Sequence, residues 1–268
     1  MTDSGDTLQV AATFDDVIDL HRTDADGFVS TLTGPEDTKN SQTVYGGQVA
    51  AQALRAAGLT VDTDRAPHSM HCYFVHPGNN SQPVRFRVER DRDGRGFSSR
   101  RVTALQNDQV LCTLSASFCS ERGEGWRDQG VSAPAVLAPM ESTPIGLGSL
   151  IWFEGRDTGY APSHMVRAPR YWTRSRDPLP LNPLTQACAL VYVSDVAAGS
   201  PAVPDGSAAP DASLDHAMWF HEPVDVSEWL LVDLAHVTTG RGRTCFEGQI
   251  YSEQGQLVAS LYKEELFR

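Results

Sequence analysis

No stretch of this 268-residue chain approaches the ~20 consecutive apolar residues that a membrane helix requires, so no membrane span is expected. Positive charge is scarce as well: 22 Lys and Arg stand against 34 Asp and Glu, a formal net charge of −12. A nonspecific nucleic-acid binder presents a basic face, so no nucleic-acid partner is expected, whereas an anionic small ligand stays open. Cysteine is sparse. Cys72, Cys112, Cys119, Cys188 and Cys245 are odd in number, show no CxxC spacing and mostly sit inside apolar runs. That pattern reads as buried reduced thiols, not as a metal or disulfide framework. The opening residues, Met1 to Asp6, lack the basic start and apolar run of a secretory signal, which makes the cytoplasm the expected compartment. There is no GxSxG elbow for a serine nucleophile. Gly46-Gly47 lacks both the Lys-Ser/Thr of a nucleotide P-loop and the third glycine of a dinucleotide fingerprint.

What the chain does have is a pattern stated twice. A helix-like run, Val44 to Leu54, is followed by His68-Ser-Met-His-Cys-Tyr-Phe74 and three more strand-like segments. Leu184 to Asp195 is followed in the same way by Asp215-His-Ala-Met-Trp-Phe-His221 and three more strands. A period near half the chain is too long for a solenoid and points to a duplicated domain. Each copy offers one long helix and several mostly antiparallel strands, the ingredients of a helix wrapped by a curled sheet in an α+β protein. Residues 1–120 form the expected N-terminal domain and 181–268 the C-terminal one. Between them, 121–180 is rich in Gly and Pro with little periodicity, which predicts an interdomain connection packed across the surface.

Within this frame the spacing of Val49, Ala50, Ala53, Leu54 and Ala57 predicts a helix over 46–60, buried on most sides. Strands are predicted near 68–76, 83–92, 97–106 and 109–119, with a hairpin turn at Asn107-Asp108. The second set falls near 213–221, 228–238, 243–252 and 256–267. Ala197 to Asp211 reads as a mobile loop.

Several residues invite a functional reading. The Gly46-Gly47 pair suits a helix start whose free N–H groups polarise a carbonyl or bind an anion, and Gly46, Gly47 and Gln48 are candidate substrate-binding residues. His68, His71 and His76, with His216 and His221 in the repeat, suggest metal ligands at first sight. Alternate strand residues face opposite sides and no carboxylate or thiolate completes a set, so no metal is expected. Asp195 ends an apolar helix, where an acid meets an unfavourable dipole. It is either a solvent-facing turn residue or a charge with a purpose, and the residues alone leave both open. Arg85, Arg87, Arg90, Arg92, Arg95, Arg100 and Arg101, and Arg241 with Arg243, read first as wet strand faces. A subset contacting ligand phosphates stays open.

Tyr45-Gly-Gly-Gln48, His68-Ser-Met-His71, Phe97-Ser-Ser-Arg-Arg-Val102, Ser115-Ala-Ser-Phe118, Ser194-Asp195, Leu214-Asp-His-Ala-Met-Trp-Phe-His221 and Glu228-Trp-Leu-Leu231 occur in this order. On these motifs the chain resembles the type II acyl-CoA thioesterases, the TesB-like family, from about residue 25 to its end and least between 121 and 165. The resemblance implies a double hotdog fold, two long helices each wrapped by a curved antiparallel sheet. It implies an acyl-CoA substrate, no cofactor, and a homo-oligomer, dimer or tetramer. In that family an aspartate, a Thr or Ser and a glutamine hold the water that attacks the thioester. The first two map onto Asp195 and Ser213; the glutamine's place is taken by Lys263. His68 matches a histidine linked to catalysis or substrate placement.

The implied reaction is hydrolysis of a fatty acyl-CoA to free fatty acid and coenzyme A by direct water attack, with Asp195 as general base. A protonated lysine donates hydrogen bonds but accepts none. Lys263 therefore predicts either a weakened hydrolase or an impaired acyl-CoA-binding protein of the same fold, unless it points outward. Hydration or dehydration of acyl-CoA on a hotdog scaffold would want an Asp-His pair at the helix start, which Tyr45-Gly-Gly-Gln48 lacks.

Overall fold

The computed structural model describes residues 9–30, 32–33, 43–120, 128–160, 170–196 and 210–267. The first half comprises β1 (Gln9–Val10), α1 (Phe14–Ile18), β2 (Leu20–Arg22), β3 (Gly27–Ser30), β4 (Leu32–Thr33), α2 (Gly46–Gly58), β5 (Arg65–Phe74), β6 (Arg85–Asp93), β7 (Phe97–Gln106) and β8 (Gln109–Ser120). The second comprises β9 (Pro144–Ile145), β10 (Phe153–Asp157), β11 (Arg170–Ser175), α3 (Pro183–Ser194), β12 (Pro210–Phe220), β13 (Leu230–Gly240), β14 (Arg243–Ser252) and β15 (Leu257–Phe267).

Thirteen strands form one sheet in the order β2-β3-β6-β7-β8-β5-β12-β15-β14-β13-β11-β10-β9. Read outward from the β5–β12 seam, both directions give the same antiparallel sequence: the strand after the helix, then the last, third and second strands of its set. At the seam Met70 stands opposite Met218, so the two halves meet about a local twofold. This is the double hotdog arrangement that the motifs imply.

Local chemistry accounts for the elements. Asn182 caps α3 by accepting from the Thr185 N–H at 2.9 Å, with Pro183 in the first turn where its missing N–H costs nothing. Every residue of α3 from Thr185 to Ser194 is buried, which explains why it is apolar on all sides. The β7–β8 hairpin turns at Asn107 and Asp108 with φ of 47° and 62°, the left-handed pair a tight two-residue turn demands. Inward residues Val102, Ala104, Leu114 and Ala116 alternate with exposed neighbours and pack beneath α2.

Two segments differ from the sequence expectation or escape it. Within 121–180 the chain forms β9, β10 and β11, and β11 pairs with β13 to extend the sheet. These strands are two to six residues long, too short for alternation to stand out among the breakers. Ala133 and Val136 lie on a satellite cluster of Trp172, Trp229, Leu231 and Tyr251, and Leu137 O accepts from the Trp172 indole at 2.9 Å. Most of Ala197 to Asp211, predicted as a mobile loop, lies outside the described residues. Among the described residues no helix is long and apolar enough to cross a membrane. The five thiols are free, three of them buried.

Candidate active site

Helices α2 and α3 run antiparallel, so the C-terminal end of α3 meets the start of α2. Tyr45, preceding α2, donates its hydroxyl proton to Tyr192 O at 2.8 Å and packs edge-on against the Tyr192 ring. Close approach explains the glycine pair here. A Cβ on Gly46 would lie 2.7 Å from Asp195 Oδ2, and one on Gly47 would lie 2.9 Å from Tyr192 O. Asp195 follows α3 directly, its side chain 1% exposed. Its own helix repels it, but the Gly47 N–H at the start of α2 faces it and favours its ionised form, and that end carries positive potential. The two open readings of Asp195 are thereby decided in favour of a held, buried charge.

Ser213 on β12 donates to Asp195 Oδ1 at 2.8 Å. It reaches inward because register shifts between Ser213 and Asp215 on β12, a bulge that turns the strand locally. Burial pushes the Asp195 carboxyl up to about 6; Lys263, the Ser213 hydroxyl and the Gly47 N–H pull against that rise, and Glu265 adds to it. Tyr45 is partly buried overall but deeply enclosed around its hydroxyl, and its phenol is held well above the ordinary range, chiefly by desolvation and then by Asp195.

Lys263 does not point outward. Strand β15 alternates Leu261, Lys263 and Glu265 inward, and the Lys263 side chain is 0% exposed. Its Nζ donates to Val196 O at 2.7 Å and pairs with Glu265 Oε1 at 2.7 Å, so its direct partners do not include Asp195. Glu265 was not singled out from the sequence, and His216 was weighed there as a metal ligand only. His216 is fully buried, with Nε2 3.1 Å from Ser194 Oγ and Nδ1 3.8 Å from Asp195 Oδ1. Burial, then Lys263, drives its pKa down to about 3, so the imidazole is neutral and the contact with Asp195 is not an ion pair. The tautomer protonated at Nε2 lets Ser194 Oγ accept from the ring while giving its own proton to Val191 O at 3.2 Å. That leaves a lone pair on Nδ1 facing the carboxylate, with no hydrogen-bond partner among the described residues.

Gly46, Gly47 and Gln48 start α2 beside Asp195, with Gln48 buried. His68 is not brought into this group. Inward alternation from Met70 would place it inside, but a register shift between Pro67 and Ser69 turns it to the outer face. There its Nε2 lies 2.8 Å from Ser117 Oγ and its ring meets Phe97. The histidines do not assemble either: among the described residues no group of three or more ligating side chains could hold a metal. Most of the basic cluster is engaged by acids. Arg85 pairs with Asp108, Arg90 with Asp26, Arg100 with Asp93, Arg101 with Glu89 and Asp91, and Arg243 with Glu264.

Comparison with known proteins adds independent findings. Residues 35–119 match the family model described as the acyl-CoA thioesterase N-terminal domain, and 121–264 the one described as the acyl-CoA thioesterase C-terminal domain. The chain is similar to acyl-CoA thioesterase 2 of Haemophilus influenzae, 33% identical over 251 residues that cover 84% of this chain and 87% of that one. A crystal structure of an acyl-CoA thioesterase II from Mycobacterium marinum superposes with a TM-score of 0.78 at 32% identity, covering 95% of this chain and 96% of that one. A protein from Alicyclobacillus acidocaldarius described as having a hot dog fold matches with a TM-score of 0.75 at 20% identity over 97% of this chain and 99% of its own, a likeness of fold.

Proposed function

The chain belongs to the acyl-CoA thioesterase family, and on that premise we propose that it hydrolyses a fatty acyl-CoA to free fatty acid and coenzyme A by direct attack of water. One observation carries the proposal: a buried carboxylate is held at the meeting point of two helices, hydrogen-bonded by Ser213 and facing the positive start of α2.

The residues suit the chemistry. A thioester carbonyl is electrophilic enough for water to attack once a base removes its proton, with no covalent enzyme intermediate. A single water can donate one hydrogen bond to Asp195 Oδ1 and the other to the free Nδ1 of His216, which aims its oxygen lone pair away from both. As the oxygen bonds to the carbonyl carbon, Asp195 takes the proton, the carbon–sulfur bond breaks and coenzyme A leaves as thiolate. Negative charge on the carbonyl oxygen is favoured at the first turn of α2, around Gly46 and Gly47. A base with a pKa near 6 is ionised at neutral pH yet still basic enough to be useful. Because the carboxyl is closed off, substrate must displace a neighbouring side chain to reach it.

Lys263 enters this proposal as a weakness. Its ammonium is committed to Glu265 and Val196 O and has no lone pair for the water, so turnover falls below that of a site offering a glutamine there. Exchanging Lys263→Gln and Glu265→Gln together tests this, and a rate that does not rise removes the weakness. Release of free thiol from a panel of acyl-CoA chain lengths tests the function itself. Asp195→Asn is expected to cut turnover about a thousandfold, in line with loss of a general base. Turnover retained in that variant would take the central assignment away.

A further inference from the structure

Two charges of opposite sign, Lys263 and Glu265, are buried one strand repeat apart and within electrostatic reach of Asp195. Their side chains are 0% and 3% exposed, and Nζ meets Oε1 at 2.7 Å. The other Glu265 oxygen, Oε2, is buried without a hydrogen-bond partner among the described residues, so this carboxylate is held there by the lysine alone. The lysine has a second anchor, Val196 O, on the residue that follows Asp195. The ring of Phe246, 5.9 Å away, completes its surroundings. Composition does not explain the choice of residue. The chain has two lysines, Lys39 and Lys263, among 22 basic residues, and among the described residues the other ion pairs use arginine. A compact ammonium on a thin stem fits a closed slot that a guanidinium would not.

We propose that Glu265 is a positioning residue for the hydrolysis: it holds the Lys263 ammonium against Val196 O and off the Asp195 carboxylate, so that the base stays free for water. The inference rests on Asp195 being the base. An unpaired buried ammonium seeks the nearest anion, and with Glu265 gone that anion is Asp195. The groups around Asp195 leave no other candidate among the described residues. Tyr45 and the Gly47 N–H face it from the start of α2, the Cys72 thiol from β5, Ser213 and His216 from β12, and Lys263 and Glu265 from β15. Tyr45, Cys72 and His216 are neutral there: burial raises the phenol, its contact with Cys112 and burial raise the thiol, and burial lowers the imidazole. Asp215 faces the outer side of β12, beside His71 and Tyr73.

The pair therefore acts on Asp195 through two opposed fields, and removing either member has a signed consequence. In Glu265→Gln the lysine is released toward Asp195, and the acid limb of kcat/KM against pH moves down by about one unit or more, with a lower plateau. In Lys263→Gln a bare carboxylate is left near Asp195, and the limb moves up. With both changed, it returns to within about half a unit of wild type. The same titration is read without turnover from the carboxyl carbon-13 shift of labelled aspartate, with the Asp195 signal assigned by its loss in Asp195→Asn.

Opposite shifts in the single variants and their cancellation in the double support the proposal; shifts of one sign, or none in folded protein, overturn it. Should Glu265→Gln fail to fold, the Lys263→Gln and double variants decide alone, since a limb common to both overturns it. Absence of thiol release in wild type with the carbon-13 pattern intact would overturn the hydrolase reading and leave the pair standing. Turnover abolished by Asp195→Asn but with unmoved limbs in the pair variants would do the reverse.

Discussion

The two helices meet twice, and the two meetings are built for different ends. Where α3 finishes against α2, small glycines let a carboxylate in, and Ser213, His216, Lys263 and Glu265 gather round it. Where α2 finishes against α3, the glycine admits a hydrocarbon instead: a Cβ on Gly58 would lie 2.4 Å from a methyl of Leu184. That junction is further tied by the bond from Arg55 Nη1 to Thr185 Oγ1 at 3.3 Å and by Arg100, fully buried, which donates to both Thr60 O and Thr60 Oγ1. Strand positions related by the seam tell the same story. Met70 opposes Ala116 and Met218 opposes Leu261, so Phe118 occupies in the first half the inward place that Lys263 takes in the second. Duplication made two equivalent junctions; one now carries polar chemistry and the other packing.

The contrast can be broken from either side. The largest expected effect is on stability at the polar junction. The Asp195 carboxyl lies at about 6 in the folded protein against 3.8 in the unfolded chain, so folding favours its protonated form. Stability is full below pH 4, falls as pH rises through the window between those values, and stays reduced above it. Asp195→Asn removes the penalty and should stabilise the protein by about 3 kcal/mol at pH 8 and by almost nothing at pH 4. Denaturant melts at both pH values check this, and equal effects at the two would mean that the carboxyl is not perturbed. Next comes Gly46→Ala, whose methyl would push on the carboxylate from 2.7 Å. A base displaced by a few tenths of an ångström to an ångström should lose up to about a hundredfold in kcat while the fold persists. The smallest effect belongs to the apolar junction. Gly58→Ala forces Leu184 aside and should cost about 1–3 kcal/mol of stability, with kcat at permissive temperature little changed. A Gly58→Ala enzyme that is stable but slow would show that the second junction takes part in catalysis after all.

Much of this asymmetry could be read from the chain before its structure. The long helices, the eight long strands and the convergence of Asp195 with Ser213 follow from periodicity and from motif resemblance. What escaped has a common physical cause. His68 and His216 sit at matching distances from Met70 and Met218, yet one faces out and the other in. The difference lies in where each strand bulges, between Pro67 and Ser69 on β5 and between Ser213 and Asp215 on β12. A bulge leaves no compositional mark strong enough to place it within one residue, and one residue exchanges the faces. Glu265 was hidden differently. Two residues from Lys263 on a strand it shares the same face, but an acid near the C-terminus normally reads as solvated, and only the depth of the slot shows that it is not.

The seam at Met70 and Met218 has one more implication. Hydrogen bonds between β5 and β12 join what would otherwise be two separate protomers, and the covalent link turns their association into an intramolecular event. Cohesion of the halves is then insensitive to dilution, and neither needs to preserve a surface that works equally well for both. Freed from self-complementarity, a single gene can let one cradle drift toward reactivity while its sister specialises in holding the molecule shut.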